Sequence, residues 1–398
     1  MNIEEKYESE TSFSHWLVPE FPFNLILDFS NFITLTILLF FISKKLQLNF
    51  NLYFIFALMM LTPFLFNGSL LEWTNFPDQS KYISAARDIR SNLLYPQNII
   101  DQFKSSNRIT VNFSAAIYSL FPSTNFETYR SIGFLNRFLL ILIIAFCISK
   151  KTLPASLKIF LILSPSLTLY SSISLREVLI LFIMVFLTYN IIIKNKSYTS
   201  ILAISLLIIK PQNLLIVVVP FLLQEVFSTK KTKKNYLFII LSLIISLILI
   251  LNYAEIFNKI NSVSYGFFFE TYGGYQGSFI KEQFIKYTPS NILSKLGLGI
   301  SKVLISPFPN ISSASLMIIF FENLIIYTLI YHHLFKELFK KNFDQKIKLF
   351  WIITLLFSLI MYSIVSFNDG TIHRYKLVIL GYILIGYNLH RSSYKLNI

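Results

Sequence analysis

A small set of residues in this 398-residue chain has the types and surroundings to carry chemistry. Asp78 follows Trp73-Thr74-Asn75-Phe76-Pro77 and opens a segment in which Tyr82, Ala86, Ile89 and Leu93 recur at helical spacing, with Lys81, Arg87 and Asp88 on the other faces. A carboxylate there can take a proton from a sugar hydroxyl as a general base, or it can cap the helix that it begins. Three cations stand in short polar breaks between apolar runs. They are Arg176 in Ser174-Leu175-Arg176-Glu177, Lys210 in Lys210-Pro211-Gln212-Asn213, and Arg374 in Ile372-His373-Arg374-Tyr375-Lys376. A guanidinium fits two phosphate oxygens at once, so three such breaks on one side would make a site for an anionic headgroup. The plainer alternatives are that Arg176 and Glu177 pair with each other, or that these long side chains reach out to water. Tyr82, Glu177 and His373 are possible accessories by position. Glu322 is a further one: it lies inside an apolar run, roughly 15 Å from its outer end at 1.5 Å per residue. A carboxylate at that depth is either functional or a hydrogen-bond partner of Asn323 or of a neighbouring helix.

Other chemistries lack their residues. No Walker A loop, GxGxxG, HExxH, CxxC or EF-hand loop occurs, so ATP-driven transport, nicotinamide chemistry and a standard zinc site have no support. No cofactor is expected, and a divalent metal has no ligand pattern to hold it. The histidines, at 15, 332, 333, 373 and 390, include one adjacent pair but no metal-binding spacing. Cys147, the single cysteine, sits in an apolar stretch and cannot form an intramolecular disulfide. Between Tyr265 and Gly277 aromatics alternate with glycines, a composition suited to an interfacial belt or to a lid over a sugar.

The elements that must hold these residues are apolar helices. The chain is 54% hydrophobic and only 14% charged, with a mean hydropathy of +0.60, too apolar for a water-facing globule. Apolar runs predict helices near 24–43, 50–67, 132–149, 154–171, 176–193, 236–252, 314–331, 349–366 and 375–389. Across 199–224 the Lys210-Pro211 interruption predicts two short helices meeting at a tip, because a lysine beside a proline is costly at mid-bilayer.

The basic clusters carry most of the formal net charge of +15: Lys44-Lys45, Lys150-Lys151, Lys194 with Lys196, the lysines at 230–234 and 336–348, and Arg391 with Lys395. With the hairpin reading, all fall on one side, as cytoplasmic loops require. This charge is topogenic, so no nucleic acid is expected as a partner. The expectation is an all-α, polytopic integral membrane protein of about eleven segments. It forms a single membrane domain over 1–398, with outer loops at 68–131 and 253–313, the first carrying a surface helix. The N-terminus is outside and the C-terminus inside. The acidic start and the late first apolar run suit a retained helix better than a cleaved signal peptide.

The layout resembles the GT-C superfamily of membrane glycosyltransferases. The likeness rests on a large first outer loop with Asp78 at its helix start, followed by Tyr82 and Ala85. Further points are the Arg176-Glu177 turn, the Lys210-Pro211 hairpin, the outer Pro307-Phe308-Pro309, and Arg374 before the last helix. The resemblance implies transfer from a polyprenyl-phosphate- or diphosphate-linked sugar to a glycan acceptor, in cell-surface polysaccharide or lipopolysaccharide assembly at a bacterial inner membrane. Asp78 would be the catalytic base, and Arg176, Lys210 and Arg374 would hold the lipid phosphate. The chain is similar also to bacterial O-antigen polymerases in length, helix number and outer arginines. Arg130, Arg176 and Arg374, however, lack a glycine eleven positions on, so the Arg-x10-Gly pattern of some of those enzymes is missing. A lipid-linked glycan flippase or another secondary transporter is the alternative of a different class; it would need more polar residues at mid-depth.

Overall fold

Runs of Leu, Ile and Phe that avoid water can satisfy their backbone only by internal hydrogen bonds, and the helix does so within one segment. A computed structural model describes residues 23–70, 78–105, 109–121, 125–228, 253–276, 285–307, 314–336, 345–364 and 369–396. Every regular element among them is helical, and no strand occurs there. In chain order these are α1 (Leu25–Lys45), α2 (Phe50–Met59), α3 (Thr62–Phe66), α4 (Asp78–Ser91), α5 (Pro96–Ser105), α6 (Ile109–Ser119), α7 (Ser131–Ser149), α8 (Ala155–Leu163) and α9 (Pro165–Ser172). There follow α10 (Glu177–Ile192), α11 (Lys196–Ile209), α12 (Pro211–Ser228), α13 (Tyr253–Gln276), α14 (Ile292–Ile305), α15 (Ala314–Ile330), α16 (Gln345–Ser363) and α17 (Asp369–Leu396). α15 runs on into a π-helical turn at Tyr331–Phe335.

Most of the apolar runs become helices close to their expected limits. Lys210 breaks the 199–224 stretch as the sequence predicts, ending α11 before Pro211 starts α12. The run 154–171 departs from expectation, because it is broken at Ser164. Ser164 leaves the helical conformation, with φ −56° and ψ 117°, and its hydroxyl accepts the amide of Leu167, so it caps a new helix with Pro165 in its first turn. The last helix starts earlier than the apolar run, at Asp369, so His373 and Arg374 lie on α17 rather than in a loop. The predicted helix at 236–252 lies outside the described residues, as do Phe308 and Pro309. The 253–313 segment contains α13 and α14.

Among the described residues, three helical stretches are long and apolar enough to cross a membrane: Leu25–Lys45, Ser131–Ser149 and Leu316–Phe335. The pair α9 and α10, bent by 108°, makes a fourth if taken as one span. The remaining apolar stretches, among them Lys196–Ile209, Pro211–Gln224 and Ile347–Ser363, are shorter; α11, with 14 residues, is about 21 Å long against a hydrocarbon layer of about 30 Å.

α7 is the centre. Of its apolar window 83% is buried, against 22% for α1, whose outer ridge of Ile26, Phe29, Ile33, Ile37 and Phe41 stays exposed. Around it, α9 and α10 pack on α7, α10 packs on α11 and α17, α16 on α14 and α17, and α4 on α6. A buried polar knot fastens α1 to the start of α7. Arg130 pairs with Asp28 at 2.9 Å, and both side chains are almost fully buried, at 6% and 0% exposed. Thr128 donates to the other Asp28 oxygen at 2.6 Å, and Arg130 Nε donates to the Asn67 carbonyl at 2.7 Å. The Phe23 ring lies 4.7 Å from the guanidinium. Lower on α7, buried Arg137 donates to the Met59 carbonyl and to Ser171 Oγ, each at 2.9 Å.

Candidate functional site

Four helix ends and breaks meet at one place: the start of α4, the α9–α10 bend, the α11–α12 break and the first turns of α17. The bend is held from beneath by α7. Asn136 Nδ2 donates to the Ile173 carbonyl at 2.9 Å, and the single proton of Tyr118 OH is shared between Asn136 Oδ1 at 2.7 Å and the Leu175 carbonyl at 3.0 Å. Ser174 Oγ donates to the Tyr129 carbonyl and accepts the amide of Gly133. Gly133 lies so close that a Cβ there would come within 2.3 Å of the Ser172 carbonyl oxygen, so α7 can reach the bend only without a side chain. Gln79, on the buried face of α4, accepts the Ser174 amide at 2.9 Å and Asn67 Nδ2 at 2.8 Å. α4 is thus tied to the same bend that presents Arg176.

On this frame the charged side chains converge. Asp78 takes a hydrogen bond from Lys81 one turn on, at 2.8 Å; the carboxylate is 45% exposed, so it sits at an open rim. Burial alone would push this carboxyl up, but Lys81, Arg374 and Arg176 outweigh it and hold it below its ordinary value of 3.8. Asp78 is therefore ionised at neutral pH, as a base must be, at some cost in basicity. Arg176 faces the Tyr82 ring at 5.9 Å, and burial raises the Tyr82 phenol well above its ordinary 10. Lys210 is buried with its ammonium 3.5 Å from the centre of the Tyr375 ring and 5.4 Å from that of Tyr362. Arg374 Nε lies 3.1 Å from Glu177 Oε1, and the other carboxylate oxygen is buried without a hydrogen-bond partner among the described residues. Glu177 therefore does not pair with its neighbour Arg176, the plainer reading of that dipeptide. It reaches across to a helix almost two hundred residues away. Among the described residues, Arg176 and Lys210 make no ion pair, so four cations face two carboxylates.

Glu322 and His373 form a second cluster beside the first. Glu322, on α15, is hydrogen-bonded by both hydroxyls of the α8–α9 break, Ser164 and Ser166, and by the Ser166 amide at 3.2 Å. Of the structural alternatives for this carboxylate, the partner is another helix and not Asn323. Ser166 Oγ also lies 2.7 Å from His373 Nε2.

The structure brings Asp78, Tyr82, Arg176, Glu177, Lys210 and Arg374 together, with Glu322 and His373 adjoining. Lys81, Gln79, Tyr362 and Tyr375 belong to the site as well. Lys81 was findable as the i+3 neighbour of Asp78, and Gln79 as the polar residue on the apolar face of α4. Tyr362 carried no such signal. No three His, Cys, Asp or Glu side chains among the described residues gather as metal ligands do. Two cavities, of about 450 and 390 Å³, lie elsewhere, one lined by Lys150, Tyr189, Lys194 and Ser393 and the other between α14 and α15. The chain matches no family model, no curated protein and no solved structure.

Proposed function

We propose that this chain is an integral membrane glycosyltransferase that moves sugar from a polyprenyl-phosphate or polyprenyl-diphosphate carrier to a glycan acceptor. The supporting observation is the convergence of one rim carboxylate, Asp78, with Arg176, Lys210 and Arg374 from three other elements. In this reading the acceptor hydroxyl forms a bond to the anomeric carbon, the bond from that carbon to the phosphate oxygen breaks, and the electron pair leaves with the phosphate. Asp78 takes the hydroxyl proton, an effect of about 10²- to 10⁴-fold in rate. The cations stabilise charge that develops on the departing phosphate, where fixed positive groups act most strongly. The buried phosphate end requires apolar surroundings for the carrier, which explains a membrane-embedded protein.

The topology belongs to the same reading: about eleven membrane segments, the site on the extracytoplasmic face of a bacterial inner membrane, and the basic clusters inside. Cysteines at Asn98 and Lys196, both at exposed positions, test it in intact cells. An impermeant thiol reagent should label the first and not the second; the opposite pattern puts the site in the cytoplasm.

The enzymatic test uses purified protein in liposomes with radiolabelled sugar on polyprenyl phosphate or polyprenyl diphosphate. Label should pass to a glycan acceptor and free carrier phosphate should appear, with product length separating single transfer from polymerisation. Movement of intact lipid-linked sugar across the bilayer without bond cleavage overturns the enzyme in favour of a transporter.

A further inference from the structure

The cluster behind the anion site has a property that follows from counting protons. Ser166 Oγ contacts both Glu322 Oε2 and His373 Nε2, yet a hydroxyl has one proton to donate. With any Glu322 proton on Oε2, the oxygen that faces Ser166, two arrangements with a neutral imidazole satisfy both contacts. In one, Nε2–H donates to Ser166, Ser166 donates to the Glu322 carboxylate, and Nδ1 is bare. In the other, Glu322 is a carboxylic acid that donates to Ser166, Ser166 donates to Nε2, and the imidazole proton is on Nδ1. They differ by one proton. His373 Nδ1 is buried without a hydrogen-bond partner among the described residues, so no contact locks either tautomer.

We propose that Glu322, Ser166 and His373 form a buried proton-binding relay that takes up one proton at His373 Nδ1 and stores it on Glu322. On uptake an N–H bond forms at Nδ1, the Nε2 proton passes to Ser166 Oγ, and the serine's own proton passes to Glu322 Oε2. The imidazole is neutral before and after. Its surroundings favour this over a stored imidazolium. Arg374 follows it in sequence, and Lys376, one turn on, is buried with its ammonium given to the carbonyls of Ser306 and Leu304. Tyr170 of α9 presents its ring 5.9 Å away. From α15 come Glu322 itself, Asn323 and Tyr327, whose ring lies 5.8 Å from the Lys376 ammonium. The carboxylate of α10, Glu177, is engaged by Arg374. An added positive charge on His373 would stand among like charges in an apolar interior, whereas a proton on Glu322 removes a charge from it. Opposing this, the Ser166 amide and the start of α9 favour the ionised carboxylate, so the site is poised between two states rather than fixed in one. The proposal needs no substrate and stands apart from the glycosyl-transfer reading.

Protein labelled with ¹⁵N-histidine and reconstituted in lipid, titrated over roughly pH 4 to 9, tests the relay without any activity assay. His373 should change from the Nε2–H to the Nδ1–H tautomer over the same pH range in which a carboxylic-acid infrared band rises. Glu322→Gln should remove that band, and Ser166→Ala should separate the two titrations. Two results overturn the proposal: an imidazolium signal from His373 with no carboxylic-acid band, or no change at either group across the range.

Discussion

Two regions of buried charge in this molecule are built on opposite plans. Around Asp28 and Arg130 both carboxylate oxygens and the guanidinium are engaged by partners from neighbouring segments, and water is excluded. Among the described residues around Arg176, Lys210 and Arg374, cations outnumber carboxylates, one Glu177 oxygen has no hydrogen-bond partner, and the rim at Asp78 is open. A closed, neutral pair has nothing left to offer a ligand; an under-neutralised group of cations does. Burial of charge alone therefore does not mark a candidate site. The local balance does.

The sharpest way to break that contrast is to remove one partner of the closed pair. Arg130→Ala leaves Asp28 buried and unpaired, and should cost about 3–5 kcal/mol of stability in thermal or denaturant unfolding, with transfer per folded molecule unchanged. Asp28→Leu combined with Arg130→Met should recover most of that loss. If the single variant instead loses transfer at normal stability, the two regions are not distinct in kind.

At the open site the order reverses, with activity more sensitive than folding. Asp78→Asn keeps size and capping ability but cannot accept a proton, so transfer should fall by about 10²- to 10⁴-fold while donor lipid still binds. Wild-type transfer by this variant would reduce Asp78 to a helix cap. Arg374→Ala should lower kcat by about 10²- to 10³-fold, and Arg374→Lys should restore only part, since an ammonium lacks the two-pronged contact. Because Arg374 also neutralises Glu177, the alanine variant should lose stability as well. Adding Glu177→Gln should return the stability and leave transfer low, whereas recovery of both would make Arg374 a structural charge.

The smallest effect concerns pH. The Asp78 carboxyl is held below 3.8, so its ion-pair contribution to stability is present above the unfolded value, near 4, and is lost as pH falls through the lower folded value. Transfer should thus be independent of this group from neutrality down to about pH 4. Lys81→Met removes the nearest cation and should move the acid limb of the rate profile to higher pH, with little change in stability for so exposed a pair. An unmoved limb assigns the limb to another group.

Much of this arrangement is legible in the sequence. Apolar runs place most of the described apolar helices, and the Lys210-Pro211 pair marks the break that delivers Lys210, because a proline interrupts a helix and a lysine interrupts its apolar run. Ser164-Pro165-Ser166 is visible in the sequence as a polar turn, yet its residues are small and its flanks apolar, so average hydropathy carries 154–171 over it as one helix. Nor could spacing show that Glu177 reaches Arg374 rather than Arg176, because that choice is made by the packing of α10 on α17. The start of α17 was missed for a physical reason too. Hydropathy ends where charge begins, but a helix continues through polar residues when tertiary partners hold them.

The unequal burial of α1 and α7 has a consequence for how this chain can vary over generations. In the membrane reading, the exposed ridge of α1 demands only that Ile26, Phe29, Ile33, Ile37 and Phe41 remain oily, so these positions are free to exchange among apolar side chains. On α7 nearly every position answers to a neighbour of fixed shape, from the Gly133 contact with the bend to the Arg137 bonds. Replacement there calls for a matching change elsewhere. In a deep mutational scan, α1 should show a stripe of tolerance with a helical period, and α7 almost none. The chain would then record its own solvent in the rhythm of what it permits.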